Sequence, residues 1–239
     1  MSGDPNPGIF DRISLLVGED AMNLFAKTKV ILFGTGGVGS WCAEGLVRSG
    51  ITHLTIVDGD RVAASNVNRQ AMATSRNIGE VKVEAMKSRL LEINPQAEIE
   101  TVFGTYSDEN WETFGLDRYD YIIDAIDTLH AKASLILRAS AAPGTFFSSM
   151  GAALKLNPTG VRVAEFWDVR GCPLGAALRK KFRRENTLPA RKFLCVYDEE
   201  VIPRSPDASA NGSAVTITGL FGFTLAGLVI RDLYNKTRI

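Results

Sequence analysis

Cysteine is scarce in this 239-residue chain: Cys42, Cys172 and Cys195 are the only three, and no two form a C-x-x-C pair. That spacing argues against a disulfide scaffold and a structural zinc, and it fits a reducing compartment. Excess charge is lacking too, with 27 basic and 27 acidic residues. Any contact with nucleic acid must therefore come from a local basic patch. The opening MSGDPNPGIF has neither a basic nor an apolar region, so no signal peptide is expected. Repeats and low-complexity tracts are missing. Histidine is down to His53 and His130, each isolated, and neither is assigned chemistry. One long apolar run exists, AVTITGLFGFTLAGLVI at 214–230; at 17 residues with three Thr and three Gly it reads as a core helix, with peripheral membrane contact as its rival reading.

What is present is a well-supplied core, with 45% hydrophobic and 23% charged residues, enough for one α/β domain with a small appended lobe. Apolar spacing predicts helices over 13–25, 38–48, 82–93 and 129–142. Strands are predicted over 30–33, 53–57, 99–103, 121–126 and 145–149. That alternation means a parallel sheet with right-handed crossovers and helices on both faces, a Rossmann-like α/β fold. In the C-terminal half, segments 152–156 and 161–166 flank the turn Asn157-Pro158-Thr159-Gly160, which predicts an antiparallel hairpin. A basic helix over 174–184, a looser stretch over 185–211 and a strand near 193–197 complete the chain.

Gly34, Gly36 and Gly39 give G-x-G-x-x-G between a strand and a helix, the context that motif requires. Glycine lets phosphate approach the backbone, and a helix N-terminus supplies N–H donors and a positive dipole end. Asp58 follows 19 residues beyond Gly39, at a strand end, where a carboxylate can accept ribose hydroxyls. NAD, FAD or ATP would all suit these residues. The sequel favours ATP: Asp58-Gly59-Asp60 leads into Ser65-Asn66-Val67-Asn68-Arg69-Gln70, and Lys82 follows. Hydride transfer needs an apolar berth for a flat ring, whereas a departing pyrophosphate needs cations. Asp124 and Asp127, near the end of a later strand, would bring carboxylates for a divalent metal to the same carboxyl edge.

GTGGVG, VDGDRVAASNVNRQ, GEVKVE and DAID together resemble the adenylation domain of the ubiquitin-activating superfamily, the ThiF and MoeB-like proteins. The stretches FDRISLLVG, FSSMGAALKLNPTGVRVAEFWDV, CPLGAALRKKFRR, VYDEE and GSAVTITGLFGFTLAGLVIRDL are similar to one branch of it. That branch is the TcdA (CsdL) family of tRNA threonylcarbamoyladenosine dehydratases. The resemblance implies one adenylation domain over 1–239, with a nucleotide-binding core at 28–150 and an extension at 151–239. It also implies ATP and Mg2+ as cofactors: Gly34, Gly36, Gly37 and Gly39 at the phosphates, Asp58 at the ribose with Asp60 beside it, and Asn66, Arg69, Gln70 and Lys82 around the triphosphate. Arg69, Lys82 and Asp127 are implied as catalytic, Asp127 as the magnesium carboxylate, and Arg12 as reaching the other subunit's nucleotide in a homodimer. Ala153 and Asp198 depart from the family's frequent Gly and Ser, which puts the shape of the substrate pocket in doubt.

The implied reaction activates the free carboxylate of threonylcarbamoyladenosine in tRNA as an acyl-adenylate, which then closes intramolecularly. No enzyme nucleophile is needed. Cys42 and Cys195 read as buried and structural, the latter with a sulfur-relay role as its rival reading, and Cys172 as a partly exposed thiol. Arg179, Lys180, Lys181, Arg183 and Arg184, followed by Arg191 and Lys192, form a basic segment suited to RNA phosphates. The cysteine usage fits a cytoplasmic protein, the short apolar run argues against stable membrane insertion, and the family leaves room for a sulfur-relay partner. Two other readings stand beside it: activation of a ubiquitin-like sulfur-carrier protein, and a nicotinamide-dependent dehydrogenase or non-catalytic nucleotide sensor.

Overall fold

The computed structural model describes residues 8–238. Its strands are β1 (Lys29–Phe33), β2 (His53–Asp58), β3 (Glu98–Phe103), β4 (Tyr121–Asp124), β5 (Thr145–Ser149), β6 (Arg162–Glu165) and β7 (Leu194–Tyr197). They form one sheet in the order β3-β2-β1-β4-β5-β7-β6. Every pairing is parallel except β6 against β7. The helices are α1 (Asp11–Val17), α2 (Glu19–Lys27), α3 (Gly39–Arg48), α4 (Lys82–Ile93), α5 (Leu129–Ala141), α6 (Pro173–Glu185) and α7 (Val215–Lys236).

Alternate side chains along the strands feed two cores, as the period of two demands. Val30, Leu32, Leu54, Ile56 and Ile123 pack with α2, α3, α4 and α7, while Ile31, Phe33, Ile122, Phe146 and Cys195 pack with α5 and α6. The 214–230 run is the body of α7. It buries Ile217, Phe221, Leu225, Val229 and Leu233 in the first core and leaves Leu220 and Phe223 partly exposed. By length and composition α7 could cross a membrane, but one side of it is core.

Three expected elements come out differently. The helix expected over 13–25 breaks into α1 and α2 at Gly18, whose φ of +84° lies where L side chains rarely go. The strand expected over 121–126 ends at Asp124, whose carboxylate turns back to accept the Ile126 N–H (3.0 Å). The expected hairpin does not form. β6 pairs with β7 instead, and 152–156 is held by residues 198–212. Leu154 N–H donates to the Gly212 carbonyl and its own carbonyl accepts from Ile202 N–H. Lys155, buried, donates to the carbonyls of Asp198 and Glu200.

Strand order reverses between β1 and β4, so their carboxyl ends border a crevice of the kind where open α/β sheets hold ligands.

Candidate active site

The glycine turn fills one wall of that crevice. Gly34 has φ +88°, and a methyl added to it would come 2.8 Å from the Ala125 carbonyl oxygen. A methyl on Gly39 would overlap the Gly34 carbonyl oxygen, so the turn can close onto α3 only with glycine there. Gly36 differs: a methyl there would meet nothing within 4 Å. Two glycines therefore shape the turn, and the third opens a space beside the N-terminus of α3 where an anion meets N–H donors.

Asp58, at the end of β2, orients this wall. Its Oδ2 accepts the Thr35 N–H (2.8 Å) and its Oδ1 the Asp60 N–H (2.9 Å). Lys82 opens α4 with its side chain 7% exposed, donating to Asp60 Oδ2 at 2.7 Å and lying 3.9 Å from Asp58 Oδ1. The Lys82 ammonium is thus buried and held between two carboxylates.

The 66–71 segment is stitched to the first turn of α3. Trp41 Nε1 donates to the Arg69 carbonyl (2.9 Å), and the Ala71 N–H donates to Ser40 Oγ (3.0 Å). Asn66 is buried and accepts the Ala63 N–H (3.0 Å), closing the turn that delivers Arg69. Arg69 donates to the Ser65 carbonyl (2.6 Å) and Asn68 Oδ1 (3.0 Å), and its stem lies against Gly37. Gln70 Oε1 and Thr35 Oγ1 are buried without a hydrogen-bond partner. An unpartnered hydroxyl and amide oxygen at an open glycine turn and the segment packed on it call for a ligand or water.

β4 supplies the opposite wall. Asp127 is exposed there, but Asp124 is not available to a metal: it is fully buried, salt-bridged to Lys132 at 2.6 Å and hydrogen-bonded by Ser148 Oγ at 2.7 Å. Sequence reasoning missed Lys132. Its signal was position, since Lys132 shares a helix face with Leu135, Ile136 and Ala139, all buried. Among the described residues no three His, Cys, Asp or Glu side chains converge as a metal site. A cation at Asp127 would thus depend on phosphate oxygens for its remaining ligands.

Other expected residues lie elsewhere. Arg12 is exposed on α1. Along α6, Arg179 is spent in the fold: it donates to the Phe166 carbonyl (3.2 Å), and burial with the nearby Arg170 and Arg183 pushes its guanidinium below the usual value. Lys181 and Arg184 both pair with Glu185 at 2.8 Å, and Arg183 lies 5.4 Å over the Trp167 ring. Arg191 caps α5, donating to the carbonyls of Ser140 (2.9 Å), Pro143 (3.5 Å) and Gly144 (3.3 Å). Lys180, Arg183, Arg184 and Lys192 face solvent without such carbonyl partners, and Arg191 stays exposed despite its own. All three cysteines are buried, which corrects the exposed thiol expected at Cys172, whose sulfur accepts the Gly175 N–H at the start of α6. Burial pushes the thiols of Cys42 and Cys195 up, so neither is poised as a thiolate.

Arg69 and Lys82 bring to this crevice the cations that a departing pyrophosphate needs and a flat redox ring does not. Residues 10–236 match the ThiF family. The tRNA threonylcarbamoyladenosine dehydratase of Bacillus subtilis (strain 168) is 37% identical over 244 residues, covering 96% of each chain. That of Escherichia coli (strain K12) is 31% identical over 95% of this chain and 94% of its own. A crystal structure of the E. coli enzyme, TcdA, in complex with ATP is similar with a TM-score of 0.88 and 30% identity, over 96% of this chain and 95% of that one.

Proposed function

The chain belongs to the ThiF family, and from that premise we propose that it is an ATP-dependent tRNA threonylcarbamoyladenosine dehydratase, a single adenylation domain spanning 1–239. The observation that carries this is the likeness, over almost the whole of both chains, to a dehydratase that holds ATP. The open glycine turn, the unpartnered Thr35 hydroxyl and Gln70 amide oxygen, and the two nearby cations support the same reading.

In this reading the substrate carboxylate attacks the α-phosphorus of ATP, and pyrophosphate leaves with the electrons of the broken P–O bond. The urea of the same side chain then attacks the activated acyl carbon and expels AMP, losing its proton as the ring closes. The expelled AMP carries away the former carboxylate oxygen and the urea proton goes to solvent, so the nucleoside loses the elements of one water. The second nucleophile is tethered, so proximity supplies an effective molarity of roughly 10⁵ M or more when well oriented.

The protein's share is placement and charge. Gly36, Gly37 and Gly39 admit the phosphates to the backbone, and Asp58, already fixed by two N–H donors, accepts the ribose hydroxyls. Asn66 and Gln70 border the triphosphate. Arg69 and Lys82 stabilise the charge that builds at the α-phosphorus and on pyrophosphate, Lys82 by turning from Asp60 toward it. Magnesium arriving with the triphosphate would be held by Asp127 and would neutralise phosphate charge.

Lys180, Arg183, Arg184 and Lys192 would contact tRNA phosphates, giving affinity with little sequence information. Dimerisation is part of the proposal. α1 exposes Leu15 (82%) and Leu16 (77%) beside Arg12, a face suited to a second copy whose nucleotide Arg12 would reach. The buried thiols argue against a sulfur relay through this chain and fit a cytoplasmic setting. The test is nucleoside mass spectrometry on modified tRNA incubated with the protein, ATP and magnesium. The expected result is a product one water lighter, with AMP and pyrophosphate formed in equal amounts. Linear nucleoside persisting while folded protein binds ATP would refute it.

A further inference from the structure

Lys132 and Asp124 form a fully buried ion pair one layer behind the crevice, with no side-chain surface exposed on either. Burying two charges costs desolvation that their attraction barely repays, and an apolar pair of like volume is often as stable. The geometry they impose is more informative. Lys132 Nζ donates to Asp124 Oδ2 at 2.6 Å and to the Ile126 carbonyl at 2.8 Å. Asp124 Oδ1 accepts the Ile126 N–H at 3.0 Å, and Ser148 Oγ on β5 anchors Asp124 Oδ2 at 2.7 Å. Both backbone groups of Ile126, the residue before Asp127, are thereby fixed. The preceding peptide is held as well: the Ala125 N–H donates to the Phe33 carbonyl at 2.8 Å, and its own carbonyl packs on Gly34.

We propose that Lys132 and Asp124 are positioning residues for the reaction: through Ile126 they fix where Asp127 enters the crevice, and so how a magnesium–triphosphate is held against the glycine turn. Neither touches the ligand. This rests on the reading of Asp127 as the magnesium carboxylate. A displacement of about 1 Å at a reacting centre can cost about 10²-fold in rate, so a loop carrying that carboxylate needs such a brace.

The test separates bracing from bulk stability. Lys132→Met or Asp124→Asn alone leaves a buried charge or polar group unmatched and is expected to unfold at lower temperature. The double variant Asp124→Asn/Lys132→Met removes both charges and is expected to keep a melting temperature close to wild type. ATP affinity is measured by equilibrium titration with and without magnesium, together with the magnesium dependence of turnover, for wild type, the double variant and Asp127→Asn. The double variant is expected to bind metal-free ATP within about twofold of wild type, to need at least tenfold more magnesium, and to turn over about 10²-fold more slowly. Asp127→Asn should share the magnesium defect. Wild-type magnesium dependence in the double variant, with Asp127→Asn defective, would overturn the positioning role alone. Wild-type magnesium dependence in both would overturn it together with the assignment of Asp127.

Discussion

Gly222 and Gly227 lie in the same helix, α7, yet adding one methyl to each should move stability in opposite directions. Alanine in a helix interior is favoured over glycine by about 0.8–1.0 kcal/mol. Gly227 has nothing within 4 Å of where a Cβ would sit, so Gly227→Ala should realise that gain. At Gly222 the new methyl would overlap the Val38 carbonyl oxygen and lie 2.8 Å from both the Cys42 nitrogen and Trp41 Cβ. Two of those three are backbone atoms that cannot rotate away, so the helices α3 and α7 must separate. Overpacking of this kind costs typically about 1–3 kcal/mol, and backbone contact places the cost at the upper end. The net effect of Gly222→Ala is then about 1–2 kcal/mol of destabilisation. At about 2–4 °C per kcal/mol for a chain of this size, the melting temperature should fall by roughly 2–8 °C, while Gly227→Ala raises it by roughly 2–4 °C. Val38 is also the residue before Gly39, so moving α3 disturbs the phosphate cradle and should weaken stabilisation by ATP in Gly222→Ala. Thermal melts with and without ATP measure both effects. A Gly222→Ala protein as stable as Gly227→Ala would refute the claim that α7 fixes the position of the glycine turn.

Lys82→Ala and Arg69→Ala should each lower turnover on modified tRNA by about 10²–10³, read by AMP release at saturating substrate; wild-type turnover in both would misplace the chemistry. Arg183→Ala should weaken tRNA binding and lower the salt slope by about one, leaving ATP binding intact, whereas Arg179→Ala should show mainly as a lower melting temperature because its partner is the Phe166 carbonyl. Glu44 predicts a pH effect. Burial opposes its charge, but hydrogen bonds from Arg89 (2.6 Å) and Arg48 (2.8 Å) outweigh burial and hold its carboxyl below the usual value. A depressed folded pKa adds stability that is full above the unfolded value of about 4.3 and is lost as pH falls through the folded one. Glu44→Gln should therefore flatten that part of the acid limb in melts between pH 3 and 6, to about the extent of one group's linkage. An unchanged acid limb would show that the two arginines do not act on Glu44.

What was legible in the sequence and what was not divide along physical lines. The glycine turn, Asp58 and the parallel order were readable because local rules fix them: φ above zero, a strand end and a period of two or 3.6 residues. The missing hairpin shows where local rules stop. Asn157-Pro158-Thr159-Gly160 does turn, but 152–156 lies outside the sheet, where Lys155 reaches the carbonyls of Asp198 and Glu200, some forty residues away in sequence. The same limit hid the roles of individual charges. A string of cations at 179–192 looks uniform, yet the fold uses Arg179 and Arg191 to satisfy carbonyls and leaves Lys180 and Lys192 outward. The DAID stretch offered two carboxylates for one task; only the register of β4 against β5, which puts Asp124 opposite Ser148, shows that one is interior and the other exposed. A buried charge is chosen by its distant partner, and here the partner, Lys132, sits on a helix face that its apolar neighbours mark as core. A charged residue at a core position of a predicted helix is thus a pointer to an unseen counter-charge, and in this chain it points to the brace behind Asp127.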